Sequence, residues 1–190
     1  MRVIAGKYRS RPLRSLKGMD IRPTSDRLRE TLFDVLTAGN PAALDGTIWI
    51  DLYAGTGAVG IEALSRGAEM VYFVEASRQA AELIAENLAG LKIEGHSKVL
   101  KLDVLHALPA LASDHVAANF IFLDPPYRMQ EVYAQTLNSL AQTELLKLDG
   151  VVIAEHEKRF DPGETCGQFR RARRLVQGDA ALSFYQRERQ

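Results

Sequence analysis

Cysteine is almost missing from this chain of 190 residues: Cys166 stands alone. A single thiol excludes an internal disulfide and any zinc cluster built from thiolates. Its polar, Gly-containing surroundings make it incidental, no metal is expected, and a reduced, cytoplasmic setting fits best. Long hydrophobic runs are also missing. Nothing approaches the ~18 apolar residues needed to cross a membrane, and the first seven residues, Met1 to Lys7, contain no apolar signal core. Net charge is zero, with 24 basic and 24 acidic residues. Internal repeats and low-complexity tracts are lacking as well. What remains is 46% hydrophobic and 25% charged, the composition of one globular domain able to bury a real core. No feature calls for a second copy, so a monomer is expected.

The zero net charge hides an uneven distribution. Arg2, Lys7, Arg9, Arg11, Arg14, Lys17 and Arg22 face only Asp20 within residues 1–23, a net +6. The other 167 residues therefore sum to −6. A basic arm on an acidic body suggests a polyanionic partner. Apolar residues recur along the arm (Val3, Ile4, Tyr8, Leu13, Leu16), and Gly6 and Gly18 supply turns. The pattern is that of a small ordered hairpin-like extension over residues 1–22, followed by a main domain over 23–190.

Beyond the arm, the chain alternates between two periodicities. Thr24 or Ser25 caps a helix whose Leu28, Leu32, Val35 and Leu36 share one face, and Gly39-Asn40-Pro41 ends it. Strands are expected at 47–52, 70–75, 98–102, 120–124 and 151–155. Helices are expected at 58–65, 77–88 and 132–146, with a short helix or turn at 105–111 interrupted at Pro109. Residues 169–176 and 181–186 form a closing antiparallel pair about Gln177-Gly178-Asp179. Alternating apolar strands and helices make an α/β doubly wound, mostly parallel sheet covered on both faces. In such sheets ligands bind beyond the carboxyl ends of the strands. Asp51, Glu75, Asp103 and Asp124 all fall at those ends and converge on one cleft.

Two motifs supply chemistry. Asp124-Pro125-Pro126-Tyr127 follows an apolar strand, and two consecutive prolines extend neither strand nor helix. The result is a stiff loop carrying a carboxylate, carbonyl acceptors and an aromatic ring, the parts that grip a planar amine. Between the first strand and its helix lies Asp51-Leu52-Tyr53-Ala54-Gly55-Thr56-Gly57, and Gly55 to Gly60 satisfies G-x-G-x-x-G. Glu75 stands about 20 residues on, where a ribose-binding carboxylate is expected. Both a dinucleotide and S-adenosylmethionine fit this pattern. Asp51 tips the balance, because a carboxylate there opposes a pyrophosphate and suits a sulfonium or ammonium. Ala54 and Ala76 adjoin these residues, and Asp103 with the Val104 backbone is placed to meet the adenine.

With these residues assembled, the chain resembles the class I S-adenosylmethionine-dependent methyltransferases, in which D-P-P-Y marks transfer to amino nitrogens. The segments Val3 to Arg9, Arg22-Pro23-Thr24-Ser25-Asp26-Arg27-Leu28-Arg29-Glu30-Thr31-Leu32-Phe33, Ala54 to Ala68 and Ala181 to Tyr185 are similar to the bacterial 16S rRNA (guanine(966)-N(2))-methyltransferase family. The resemblance spans essentially the whole chain. One departure is Gln177, where the family usually has an aromatic; Tyr53 and Thr56 are mild variants. The resemblance implies a seven-stranded, Rossmann-like sheet with the last strand antiparallel. It also implies that Thr24 lies near the methionine carboxylate, and that the substrate is 16S rRNA or a small-subunit assembly intermediate.

The expected reaction is methylation of the guanine N2 amine, that is, rRNA processing by an RNA-binding transferase. Asp124 and the Pro125 carbonyl, with Pro126 stiffening the loop, accept the amine's N–H bonds, and Tyr127 stacks on the base. Arg2, Lys7, Arg9, Arg11, Arg14 and Arg22 hold phosphates. The residues alone leave alternatives open: a DNA adenine-N6 or cytosine-N4 amino-methyltransferase, a non-catalytic nucleotide-binding module on the same fold, or an NAD-dependent reductase.

Overall fold

A computed structural model describes residues 1–15, 24–126 and 128–188. Arg22 and Tyr127, both expected to contribute to function, lie outside the described residues. The elements run α1 (Asp26–Thr37), β1 (Ile48–Leu52), α2 (Ala58–Ser65), β2 (Met70–Val74), α3 (Arg78–Gly90), β3 (Ser97–Leu100), α4 (Val104–Ser113), β4 (Ala118–Leu123), α5 (Gln130–Ala141), β5 (Leu146–Glu157), β6 (Thr165–Cys166), β7 (Phe169–Gln177) and β8 (Ala180–Arg187).

Side chains alternate across each strand, and here both faces are apolar. Trp49, Phe73, Phe122, Ile153, Leu182 and Phe184 pack beneath α1, α2 and α3. Their neighbours Ile50, Leu52, Val74, Ile121, Leu123, Val152 and Tyr185 pack against α4 and α5. The sheet order is β3-β2-β1-β4-β5-β8-β7-β6. Strands β3 to β5 are parallel, and β8 turns antiparallel against β5. Strand order reverses between β1 and β4, so the crevice at their carboxyl ends is the natural ligand position.

The structure departs from the sequence expectation in several places. The sheet has eight strands rather than seven, because Thr165 and Cys166 add a two-residue edge to β7. There Cys166 is buried, with its Sγ 3.1 Å from Asn138 Oδ1. Helix α5 stops at Ala141 instead of 146: Leu145 bonds to Ala118 through its carbonyl and Leu146 begins the long β5, both buried in the sheet core. Pro109 does not interrupt α4. It deletes one bond, to the carbonyl of exposed Leu105, while Val104, Ala107, Leu108 and Leu111 hold the helix by its apolar face.

Residues 1–15 form a tight antiparallel loop, bridged at Arg2 and Pro12 and closed by bonds from Val3 N to Arg11 O and from Ser10 N to Val3 O. The loop is fixed to the main domain by a buried charge. Glu62 on α2, fully buried, accepts from the backbone N–H groups of Ile4 (2.8 Å) and Ala5 (3.0 Å) and from Arg66 Nε (2.8 Å). Arg29 on α1, also fully buried, sits 3.8 Å from Glu62 and donates to the Arg2 carbonyl. Burial, with a smaller push from the Arg66 charge, lowers the Arg29 pKa, opposed by Glu62 and Asp26. Gly6 seats the loop against the end of α2: a Cβ there would lie 1.8 Å from the Ser65 carbonyl oxygen.

Candidate active site

The carboxyl ends of β1, β2 and β4 open into a cleft of about 570 Å³. Asp51, Tyr53, Ala54 and Gly55 line it from β1, Glu75 and Ala76 from β2, Asp103 and Val104 from the start of α4, and Asp124, Pro125 and Pro126 from the end of β4. Thr24 closes it from the loop before α1. The expected cofactor and catalytic residues that are described are thus brought together, apart from Gly57, which lies behind the wall. Arg128 and Met129 line the cleft too, a position the sequence reading did not assign them.

Gly57 shapes the turn from outside the cavity. It caps α2 in the left-handed conformation at φ 75°. Tyr53 adopts φ 59°, uncommon for a residue with a bulky side chain, and its hydroxyl lies 2.7 Å from Thr136 Oγ1 on α5. The turn is tied down by Ala54 N to Val74 O (3.0 Å) and Gly57 N to Ala54 O (2.7 Å). At Gly60 a Cβ would fall 2.4 Å from the Phe73 ring, so α2 lies directly on β2 only because that side chain is absent.

Three of the cleft carboxylates also have a structural duty. Asp51 accepts from Gly60 N at 2.9 Å. Glu75 spans the turn, accepting from Gly55 N and Ser77 N, both at 2.8 Å. Asp103 caps α4 through Leu105 N. Ser25 is the true cap of α1, whereas the Thr24 hydroxyl donates to Glu155 Oε2 at 2.7 Å. Glu155, buried at the end of β5, was not foreseen: the sequence placed four carboxylates at strand ends, and this is a fifth.

Crowding these acids has an electrostatic consequence. Burial pushes Asp51 up to about 8, assisted by Glu75 and opposed by the Gly60 N–H. Asp124 is raised well above the ordinary carboxylate range, first by burial and then by Glu155 and Asp51. Carboxyls whose ionised forms are disfavoured by burial and by one another gain from a nearby cation, which the cleft suits. The D-P-P loop is braced from behind by Tyr133, whose hydroxyl donates to the Glu155 carbonyl at 2.8 Å and lies 3.5 Å from that of Pro125. Among the described residues, no group of three or more His, Cys, Asp or Glu side chains is arranged to hold a metal, and no helix is long and apolar enough to cross a membrane.

The five basic residues of the arm that are described, Arg2, Lys7, Arg9, Arg11 and Arg14, are all exposed. Arg14 pairs with Glu86 at 2.8 Å, and Arg11 donates to the Gly90 carbonyl, both on α3. The arm reaches the cleft rim where Met1 Sδ meets Thr56 Oγ1 at 3.8 Å.

A doubly wound sheet with a glycine turn after β1, an acid after β2 and D-P-P after β4 defines a class I S-adenosylmethionine-dependent methyltransferase. The same fold occurs in a Streptococcus mutans methyltransferase, SMU.776, solved with SAH (TM-score 0.65, 14% identity, covering 84% of this chain and 48% of that one). Residues 1–186 match the profile of the family described as Conserved hypothetical protein 95, and the chain belongs to that family. It is 33% identical to ribosomal RNA small subunit methyltransferase D of Escherichia coli K12 over 190 residues, covering 100% of this chain and 91% of that protein. It is 35% identical to YlbH of Bacillus subtilis, covering 98% and 99%. The solved structure of Escherichia coli yhhF superimposes with a TM-score of 0.82 at 30% identity, covering 100% of this chain and 99% of that one.

Proposed function

We propose that this protein methylates the exocyclic N2 amine of a guanine in 16S ribosomal RNA. The observation that carries the reading is the joining of two sites in one cleft: the glycine turn with Glu75 and Asp51, and the acceptor-bearing D-P-P loop. Its full-length likeness to ribosomal RNA small subunit methyltransferase D supports RNA as the substrate.

S-adenosylmethionine, when bound, supplies a methyl group activated on a sulfonium. Glu75 would hold the ribose hydroxyls, Asp103 and Val104 the adenine, and Asp51 the positive charge. Thr24 would meet the methionine carboxylate. The guanine amine is a poor nucleophile because its lone pair is delocalised into the ring. Asp124 and the Pro125 carbonyl accept its N–H bonds, orient the nitrogen and favour a pyramidal geometry. Tyr127 would stack on the base. The leaving group needs no acid, so positioning and electrostatics supply most of the acceleration. A cation in the cleft would lower the pKa values of Asp51 and Asp124, favouring the ionised, accepting form of each.

The base must leave its stack to enter the cleft, which favours a loop or flipped nucleotide. Residues 1–22 would serve as the RNA-holding extension, with Arg2, Lys7, Arg9, Arg11, Arg14 and Arg22 on phosphates. The test is methyl transfer from labelled cofactor by the wild type and Asp124→Ala. The variant should lose transfer while binding S-adenosylhomocysteine normally; near-normal turnover would remove Asp124 from the mechanism.

A further inference from the structure

Four carboxylates line the cleft, Asp51, Glu75, Asp103 and Asp124, and among the described residues a single basic side chain joins them, Arg128. It stands two residues beyond Pro126, in the turn that Met129 N closes on the Pro126 carbonyl at 2.8 Å. Arg128 is exposed, as are Pro126 and Met129 beside it, so this turn forms the cleft's mouth on the D-P-P side. The basic arm stands on the other rim. Ile4 and Ala5 are bonded to Glu62 and Tyr8 to Ser65, both on α2, and Arg11 and Arg14 are bonded to α3. Those two helices cover one face of the sheet, whereas the turn carrying Arg128 leads into α5 on the opposite face. The arm's cations and Arg128 therefore flank the cleft from its two sides.

A nucleotide that sets its amine against Asp124 brings its own phosphates to the mouth. The carboxylates beneath oppose that negative charge, so a cation is needed on the rim where it arrives. The arm can meet phosphates on its own rim; on the D-P-P rim the cation is Arg128. A guanidinium suits the task, because its planar fork of five N–H donors matches a phosphate and can serve more than one partner at once. The cofactor's one anionic group is a less fitting partner. Its methionine carboxylate is expected at Thr24, ahead of α1, and α1 packs on the arm's face of the sheet.

We propose that Arg128 holds a phosphate of the target nucleotide itself, so that RNA is gripped on both rims, by the arm on one and by Arg128 on the other, with the flipped base between them. This role rests on the reading of the chain as an RNA methyltransferase. It gives the D-P-P loop, which recognises only an amine, a second fixed point on the same nucleotide. Phosphate contacts position a nucleic acid without reading its sequence. With the amine at Asp124 and the phosphate at Arg128, the depth and direction of the base are both set, which is what an in-line transfer requires.

The experiment measures kcat/KM for methyl transfer to small-subunit RNA from cells lacking the enzyme, with wild type, Arg128→Ala and Arg128→Lys, together with the salt dependence of RNA binding. Binding of S-adenosylhomocysteine is followed in parallel. Arg128→Ala should lower kcat/KM about tenfold, at the scale of one lost charge-assisted hydrogen bond. It should also reduce the slope of log affinity against log salt by about 1, the mark of one phosphate contact. Arg128→Lys, which keeps the charge, should restore the slope and most of the rate. Affinity for S-adenosylhomocysteine should not change. RNA joined from segments with an uncharged methylphosphonate on the 5′ or the 3′ side of the target guanine locates the contact. At one of the two positions it should cost the wild type the same factor and cost Arg128→Ala nothing more. Weaker S-adenosylhomocysteine binding by Arg128→Ala would give the residue to the methionine carboxylate and overturn the proposal. An unchanged kcat/KM, an unchanged salt slope, or losses that multiply at both methylphosphonate positions would overturn it too, and each would leave the methyltransferase reading intact. Absence of transfer by the wild type to any ribosomal RNA would remove that reading and this role with it.

Discussion

Asp51 shows how one side chain can be costly to the fold and useful to the site. Its folded pKa, about 8, lies above the ~3.9 of an unfolded aspartate. Between those values the native state binds more protons than the unfolded state, so stability falls as pH rises across that window. The melting temperature of the ligand-free protein should therefore drop from pH 5 to pH 8, and Asp51→Asn should flatten the slope. A slope unchanged by the substitution would show that Asp51 does not hold its proton. A cationic ligand reverses the balance. Binding of S-adenosylmethionine near pH 7 should release protons, seen as a dependence of calorimetric heat on the buffer's ionisation enthalpy. For Asp124→Ala the expected loss in kcat is about 100-fold or more, the scale of removing one preorganised group at a developing charge. Methyl transfer by the variant, set against its S-adenosylhomocysteine affinity, measures this directly.

At the scale of elements, the glycine turn, the D-P-P loop and the alternation of strands and helices were legible because each is local. Gly55, Gly57 and the paired prolines act through their own backbones, and periodicity marks which faces are buried. The Glu62–Arg29 clamp was not legible. Both residues sit in segments that read as ordinary amphipathic helices, and a buried ion pair between α1 and α2 leaves no periodic trace. The same holds for Glu155 and Tyr133, whose partners come from 131 and 22 residues away. The early end of α5 was hidden because Leu145 and Leu146 suit a helix face and a strand equally well. Removing one partner of a buried pair costs about 3–5 kcal/mol. Glu62→Ala should destabilise on that scale, leaving Arg29 charged and buried and two backbone N–H groups unpaired. Denaturant unfolding tests this, and proteolysis within residues 1–15 should quicken as the loop detaches.

Across the whole molecule, charge is sorted: a basic loop is locked by a buried acid beside a cleft lined with carboxylates. An acidic cleft attracts a cationic cofactor, and the arm attracts the polyanion that must be brought to it. Replacing Arg9, Arg11 and Arg14 together by Ala should weaken RNA binding and reduce the slope of log affinity against log salt by about 2 to 3. An unchanged slope would move the RNA surface to the β7 arginines. Of those, Arg171 is already paired with Asp161 at 2.5 Å and Arg170 with Glu188 at 3.4 Å. The central claim, transfer to the N2 amine of guanine in 16S ribosomal RNA, is tested most directly by product analysis. Small-subunit RNA from cells lacking the enzyme is incubated with the protein and labelled S-adenosylmethionine, then digested to nucleosides. The account predicts label in N2-methylguanosine alone; label in a methylated adenosine or cytidine, or none in the RNA, would contradict it.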